Sequence, residues 1–164
     1  MDIERIKQEC RLFVTNFSGR ITISLFGSKA QKGKDEIELE LDEVFGCDID
    51  LLFEIEPALF LEYSQTCHEM GVDVSNGKPI DPLDYFWQYH SPKEIRFEAM
   101  TEALGIDEPL SEKIFEAFEG NVLDILVLPF GWQKDQELLE WIDEEDPNFS
   151  ASLQKEATIL LDRK

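Results

Sequence analysis

Basic side chains are scarce in this chain. Its 164 residues include 15 lysines and arginines against 36 aspartates and glutamates, which gives a formal net charge of −21. A protein that binds DNA or RNA needs a basic surface to neutralise phosphates, so the composition argues against nucleic acid as a partner or substrate. The same charge favours a cationic small molecule or a basic protein partner and would speed its association, although it would also serve solubility alone.

Cysteines and long apolar runs are scarce too. Cys10, Cys47 and Cys67 are odd in number and have no paired spacing, so the sequence predicts neither a disulfide framework nor a zinc site. No apolar run approaches the length of a membrane span, and the charged start Met1–Arg5 does not resemble a signal peptide. We therefore expect a cytoplasmic protein without membrane association.

The rest of the composition is that of a folded domain. The chain is 43% hydrophobic and contains 12 phenylalanines, enough for a substantial core. Its length predicts a single domain over residues 1–164. Apolar periodicity and turn residues predict a series of helices and strands. The predicted helices cover residues 2–17, 28–34, 58–70, 92–104, 111–118 and 133–142, and the predicted strands begin at residues 21, 47 and 121.

Two acidic residues, Asp48 and Asp50, lie on an otherwise apolar strand over residues 47–55. Alternate residues of a strand face the same side, so these carboxylates lie roughly 7 Å apart at Cα. Two buried acids are costly side by side unless a cation lies between them, and a divalent metal is the usual one. Upstream, the strand from Ile21 ends at a tight Gly27–Ser28 turn.

This order of strand, Gly27–Ser28 turn and Asp48-x-Asp50 strand resembles the polymerase-β-type nucleotidyltransferases, and among them the minimal nucleotidyltransferases. In that family a further acid comes from a neighbouring strand, and Asp124 is the best match for it here. The segment Leu153–Asp162 is similar to the family's closing strand with its preceding helix.

The resemblance covers residues 21–55 and about 112–162. It implies an α/β (α+β) fold, in which a mixed β-sheet with helices forms a polymerase-β-type nucleotidyltransferase core. The segment at about 57–119 would be a helical insertion in this core. The aromatic stretch 82–90 is then expected to be core of that insertion, and the acidic-apolar alternation over 34–43 predicts an exposed strand or hairpin arm.

The resemblance also implies a site. Two Mg²⁺ ions would be held by the carboxylates of Asp48, Asp50 and Asp124. Asp124 would also take the proton from the hydroxyl group that receives the nucleotide. The triphosphate would lie against the glycine turn and two lysines: Gly27, Ser28, Lys29 and Lys32.

The implied reaction moves a nucleoside monophosphate from a nucleoside triphosphate, taken to be ATP, to a hydroxyl group. The acceptor would be a small cationic molecule or a partner protein, as in the family's aminoglycoside-modifying enzymes and its toxin-adenylylating antitoxins. The alternative is a non-catalytic acidic antitoxin or binding protein on a degenerate nucleotidyltransferase fold. In that case Asp48 caps a turn, Asp50 faces water and Asp124 pairs with a basic side chain.

Overall fold

A computed structural model of the chain describes residues 1–27, 49–69, 74–75, 78–79, 86–89, 102–119, 121, 123–143 and 147–164. Its strands are β1 Ile21–Phe26, β2 Ile49–Ile55, β3 Val74–Ser75, β4 Lys78–Pro79, β5 Phe86–Tyr89, β6 Leu123–Pro129 and β7 Thr158–Arg163. Its helices are α1 Ile3–Glu9, α2 Pro57–Glu69, α3 Glu108–Ala117, α4 Gln136–Ile142 and α5 Phe149–Glu156. Two 3₁₀ helices, Cys10–Val14 and Trp132–Lys134, complete the described elements.

Five strands form one mixed sheet in the order β5-β6-β2-β1-β7. Strands β2 and β6 are parallel, whereas the other neighbouring pairs are antiparallel. Parallel strands need a long crossover connection, and here α2 and α3 lie within it. The expected mixture of helices with a mixed sheet is therefore confirmed. Among the described residues, no helix is long and apolar enough to cross a membrane.

Helices cover both faces of this sheet. On one face the Phe13 ring of the first 3₁₀ helix packs edge-on against Phe53 of β2 at 5.0 Å between centroids. Phe118, at the end of α3, lies 5.7 Å from the same Phe13 ring. On the other face Phe149 of α5 packs edge-on against Phe26 of β1 at 6.2 Å. The described helices thus make a three-layer arrangement around the sheet.

The N-terminal helix forms where the sequence predicts it but changes type along its length. Asp2 caps α1, since its Oδ1 atom accepts a hydrogen bond from the Arg5 amide at 2.8 Å. The chain then tightens into the 3₁₀ helix at Cys10. At its end the Arg163 guanidinium donates to the Phe17 carbonyl and, at 3.3 Å, to the Val14 carbonyl, which ties β7 to this turn.

The start of α3 differs from the prediction. The helix expected over residues 111–118, with Ser111 as its cap, begins three residues earlier at Glu108, and its cap is Asp107, whose Oδ1 atom accepts from the Leu110 amide at 2.9 Å. Pro109 then falls in the first turn, where the proline ring fits and its missing N–H is no loss. Ser111 is only 1% exposed and lies inside the helix.

The segment expected to be a helical insertion is not helical throughout. Phe86–Tyr89 is β5, which pairs with β6 at one end of the main sheet. Val74–Ser75 and Lys78–Pro79, within the same segment, form the short antiparallel pair β3 and β4. Aromatic residues favour strands as well as buried helices, so the aromatic stretch was compatible with both. The predicted helix 28–34, the hairpin arm 34–43 and most of the helix 92–104 lie outside the described residues.

Candidate active site

The parallel pairing of β2 with β6 makes Asp50 and Asp124 direct register partners. Neighbouring strands lie about 4.8 Å apart, so these two positions are as close as two strands allow. The same row of the sheet continues to Phe26 on β1 and to Gln88 on β5. The structure thus brings together two of the three positions that the sequence assigned to a metal site.

Gly27 lies directly against Asp50. A Cβ atom added to Gly27 would overlap the Asp50 Oδ2 atom and would lie 3.1 Å from its Cγ atom. Gly27 also has a φ of 71°, in the left-handed region where side chains are strained. Only glycine therefore lets the Asp50 carboxylate lie against the turn at the end of β1, which the sequence had assigned to phosphate contact.

A cavity of about 280 Å³ opens beside this carboxylate, between the β1–β2 end and α5. Phe26, Phe149 and Leu153 give it apolar walls, and the polar lining comes from Gly27, Asp50, Ser152 and Glu156. Leu153 is 2% exposed and Phe26 is 6% exposed, so these walls belong to the core. The cavity is thus small, is bounded by side chains of the core, and has two carboxylates in its lining.

Helix α5 is fixed in place by the element before it. Asn148 precedes the helix but makes no capping bond with its side chain. Instead the Asp143 carboxylate, at the end of α4, accepts from the Ser150 amide at 2.7 Å and from the Ser150 hydroxyl at 2.6 Å. An acid at a helix N-terminus satisfies free amides and interacts well with the helix dipole. Asp143 thus positions the helix that forms one wall of the cavity.

Several predicted site residues lie outside the described residues: Ser28, Lys29, Lys32 and Asp48. Of Asp124 the structure describes the backbone position. Among the side chains that are described, no three from His, Cys, Asp and Glu come together as a metal site.

A second half-buried acid, Glu54, lies further along β2 on the same face of the sheet as Asp50. Its Oε2 atom accepts a hydrogen bond from the Trp132 indole at 3.2 Å, and Trp132 is 2% exposed. The pKa of the Glu54 carboxyl is raised, mainly because burial disfavours its charged form and to a smaller extent because of the charge of Asp162. The hydrogen bonds from Trp132 and Gln133 and the charge of Arg20 lower this pKa and offset part of the effect of burial.

Arg20 lies near Glu54 at the same end of the sheet. Its guanidinium lies 3.8 Å from the centroid of the Phe130 ring and 3.6 Å from Glu56. Thr22 donates to Asp162 at 3.1 Å, so the neighbouring acid also has a partner. The described polar and charged side chains around Glu54 are therefore paired with one another.

Sequence reasoning missed the contribution of α5 to the cavity. Ser152 and Glu156 are four residues apart on this helix, a spacing that places both on one helical face. Without the fold, that spacing is indistinguishable from an ordinary solvent-facing stripe. The apolar position Leu153 beside them was the available signal that one side of the segment is buried.

No comparison identifies the chain. No family model matches it, and neither a curated protein nor a solved structure does.

Proposed function

We propose that the chain is a Mg²⁺-dependent nucleotidyltransferase that transfers a nucleoside monophosphate from ATP to a hydroxyl group. The observation that carries the proposal is the register of Asp50 with Asp124 beside the Gly27 turn. Two acids in register on adjacent parallel strands, beside a glycine turn and a cavity, can supply carboxylate ligands to one cation. Such an arrangement is typical of a site that binds a cation.

The donor set fits magnesium. Carboxylate oxygens are the ligands that Mg²⁺ prefers, and Asp50 offers one such group in a half-buried position at the cavity. Asp124 and Asp48 remain the predicted further ligands. When bound, Mg²⁺ would stabilise the charge that develops on the phosphate oxygens.

The residues of the glycine turn bind and orient the triphosphate in this proposal. Gly27 has no side chain, so the backbone of the turn can approach the phosphates closely. Ser28 would add a hydroxyl and Lys29 and Lys32 positive charge, which stands out in a chain with 15 basic residues among 164.

The transfer itself is a single displacement at phosphorus. The acceptor oxygen forms a bond to the α-phosphorus while the bond from that phosphorus to the bridging oxygen breaks, and pyrophosphate leaves with the electron pair. The hydroxyl proton passes to a carboxylate, for which Asp124 is the predicted acceptor. The cavity walls of Phe26, Phe149 and Leu153 would exclude water from competing with the acceptor.

The test is ATP binding measured by calorimetry, with magnesium and with a chelator in its place. We expect binding that depends on magnesium and that weakens at least about tenfold, or about 1.4 kcal/mol, in Asp50→Asn. Glu54→Gln is the matched control, because it removes one charge from the same face of the same strand but lies among paired side chains. Turnover would then appear as magnesium-dependent pyrophosphate release when an acceptor is added.

Magnesium-independent binding, or none, in the wild-type protein would contradict the proposal. A flat titration would instead favour the non-catalytic alternative, an acidic protein that covers a basic partner, for which the net charge of −21 is the supporting observation. Equal losses in Asp50→Asn and Glu54→Gln would assign the effect to overall charge rather than to this site.

A further inference from the structure

Strand β7 lies at one end of the main sheet among the described strands. Within the described part of the chain it pairs with β1 alone, so the other side of its backbone faces away from the sheet. Thr158, Ile159 and Asp162 are exposed on this strand, and the exposed fraction of Ile159 is 59%. An edge strand of this kind is a template on which another strand can pair.

A bulge in β7 gives its edge a face that is both apolar and acidic. Leu160 is the extra residue where the register of β7 against β1 shifts. On β1, Ile159 is opposite Ser24. Asp162 is opposite Thr22, two residues earlier on the same strand. Alternate residues of a strand face the same side, so Ile159 and Asp162 share one face of the sheet.

The charge on this face is negative. The Thr22 hydroxyl donates to Asp162 at 3.1 Å, but a hydroxyl is a neutral donor and leaves the charge of the carboxylate in place. Glu54 lies two strands away on the same face. The neighbouring base, Arg163, donates to main-chain carbonyls at the end of the first 3₁₀ helix. The outer edge of β7 therefore matches a strand with apolar and basic side chains.

We propose that the outer edge of β7 pairs with an extended basic segment of a partner protein. Main-chain hydrogen bonds hold the added strand, and its side chains give the specificity. An apolar side chain of the partner packs on Ile159, and a lysine or arginine lies beside Asp162. Both kinds of cross-strand pair stabilise neighbouring strands. The inference does not rest on the proposed function, because a transferase and a binding protein can both use such an edge.

A second copy of this chain fits the edge less well than a basic segment does. Two copies, each with a net charge of −21, repel one another, whereas a basic segment is attracted. A second copy also brings another exposed Asp162 to the interface in place of the base that would pair with it. The charge therefore favours a basic partner as the occupant.

The test uses a capped peptide of alternating lysine and valine, as long as β7, titrated into the protein without nucleotide or magnesium. Binding is followed through the backbone amide signals of Ile159, Leu161 and Asp162. We expect this peptide to bind at least about tenfold more tightly than a glutamate–valine peptide of the same length. Proline in place of a central valine keeps the charge but removes a main-chain donor, and should weaken binding strongly.

Ile159→Lys tests the edge itself, and Leu61→Lys on α2 is the matched control. The two side chains are exposed to nearly the same extent, 59% and 57%, and both substitutions add the same charge. Ile159→Lys places a charge on the edge that repels the peptide and should weaken binding at least about tenfold. Leu61→Lys should change it by less than about twofold. Thermal unfolding checks that both variants are folded.

Asp162→Asn tests the charge, since it keeps an acceptor for Thr22 and should weaken binding about threefold. Its control, Glu116→Gln on the exposed side of α3, should leave binding unchanged. Equal binding of the lysine and glutamate peptides, no binding of either, or equal losses in both lysine variants would overturn the inference. Undiminished binding of the proline peptide would show attraction without strand pairing and would also overturn it. A wild-type dimer in sedimentation experiments that Ile159→Lys dissociates would assign the edge to a second copy instead.

Discussion

Strand β2 carries two half-buried acids on one face, and their surroundings differ. Glu54 receives a hydrogen bond from the buried Trp132 indole and lies near the charge of Arg20. Asp50 lies against the α-carbon of Gly27, with a cavity beside it and a second acid, Glu156, across that cavity. One end of the strand places its carboxylate against an indole donor, and the other end places its carboxylate in the lining of a cavity that a ligand can enter.

The difference separates structural from functional acids. A half-buried carboxylate that accepts a hydrogen bond within the protein and does not line the cavity is compatible with a structural role alone, although burial still raises its pKa. An acid that lines a cavity beside a glycine turn is placed where a ligand can contact it. Substitutions at the Glu54 end should therefore change stability without changing ligand binding, whereas substitutions at the Asp50 end should also change ligand binding.

The largest effect on stability is expected for Gly27→Ala. The left-handed φ of 71° costs a side chain about 1–2 kcal/mol. Displacement of the Asp50 carboxylate by the new methyl adds about 1–3 kcal/mol and should abolish magnesium-dependent ATP binding. Urea unfolding and calorimetry measure the two quantities.

Gly131→Ala is the matched control at the other end of the sheet face. Gly131 has a φ of 88°, but an added Cβ would meet nothing within 4 Å. We expect only the backbone cost of about 1–2 kcal/mol and unchanged nucleotide binding. Equal destabilisation by the two substitutions would show that the Asp50 contact with Gly27 is unimportant.

Trp132→Phe should have the next largest effect. It removes the indole N–H that donates to Glu54 and leaves a half-buried carboxylate short of a donor, at a cost of about 1–3 kcal/mol. Urea unfolding should register this loss, while magnesium-dependent ATP binding stays at the wild-type level. A variant of normal stability that no longer binds ATP would contradict the division between the two ends.

The central strands were predictable because local signals and burial agree in them. β1 and β6 are runs of apolar and β-branched residues bounded by turn residues, and each of the three central strands formed within a few residues of its prediction. The sequence also indicated that Asp50 and Asp124 lie on strands of one sheet. Their exact register depends on how β2 and β6 pair, which sequence patterns do not encode.

The cavity was not predictable, because it depends on contacts between distant segments. Nothing in the sequence around Phe149 shows that its ring meets Phe26, more than a hundred residues away. Strand β5 was missed for a related reason, since an aromatic run suits a buried helix and a strand equally. The cap of α3 was misplaced because both Asp107 and Ser111 are good capping residues.

A smaller effect is expected for Asp143→Ala, which removes the acceptor of both bonds from Ser150. Loss of a helix cap costs about 1–2 kcal/mol, and because α5 lines the cavity, a less firmly held α5 should also weaken magnesium-dependent ATP binding. Asp135→Ala is the matched control: Asp135 accepts from the Leu138 amide at 3.2 Å in the first turn of α4, which does not line the cavity. Similar destabilisation with unchanged ATP binding is expected there, and a loss of ATP binding in both variants would refute the positioning role of Asp143.

The smallest effect is a pH dependence at Glu54. Since burial raises its pKa, the folded protein holds this proton more tightly than the unfolded chain does. The resulting stability is present below the ordinary glutamate pKa of roughly 4.3 and is lost as the pH rises through the higher native pKa. Glu54→Gln keeps an acceptor for Trp132 but removes the titration. The free energy of unfolding of Glu54→Gln relative to wild type should therefore increase across this pH window and then level off, whereas a difference that stays constant would show that Glu54 is not desolvated. Glu116→Gln, on the exposed side of α3, removes the same charge and is measured in the same urea titrations. Subtracting its effect leaves the contribution of the Glu54 carboxyl.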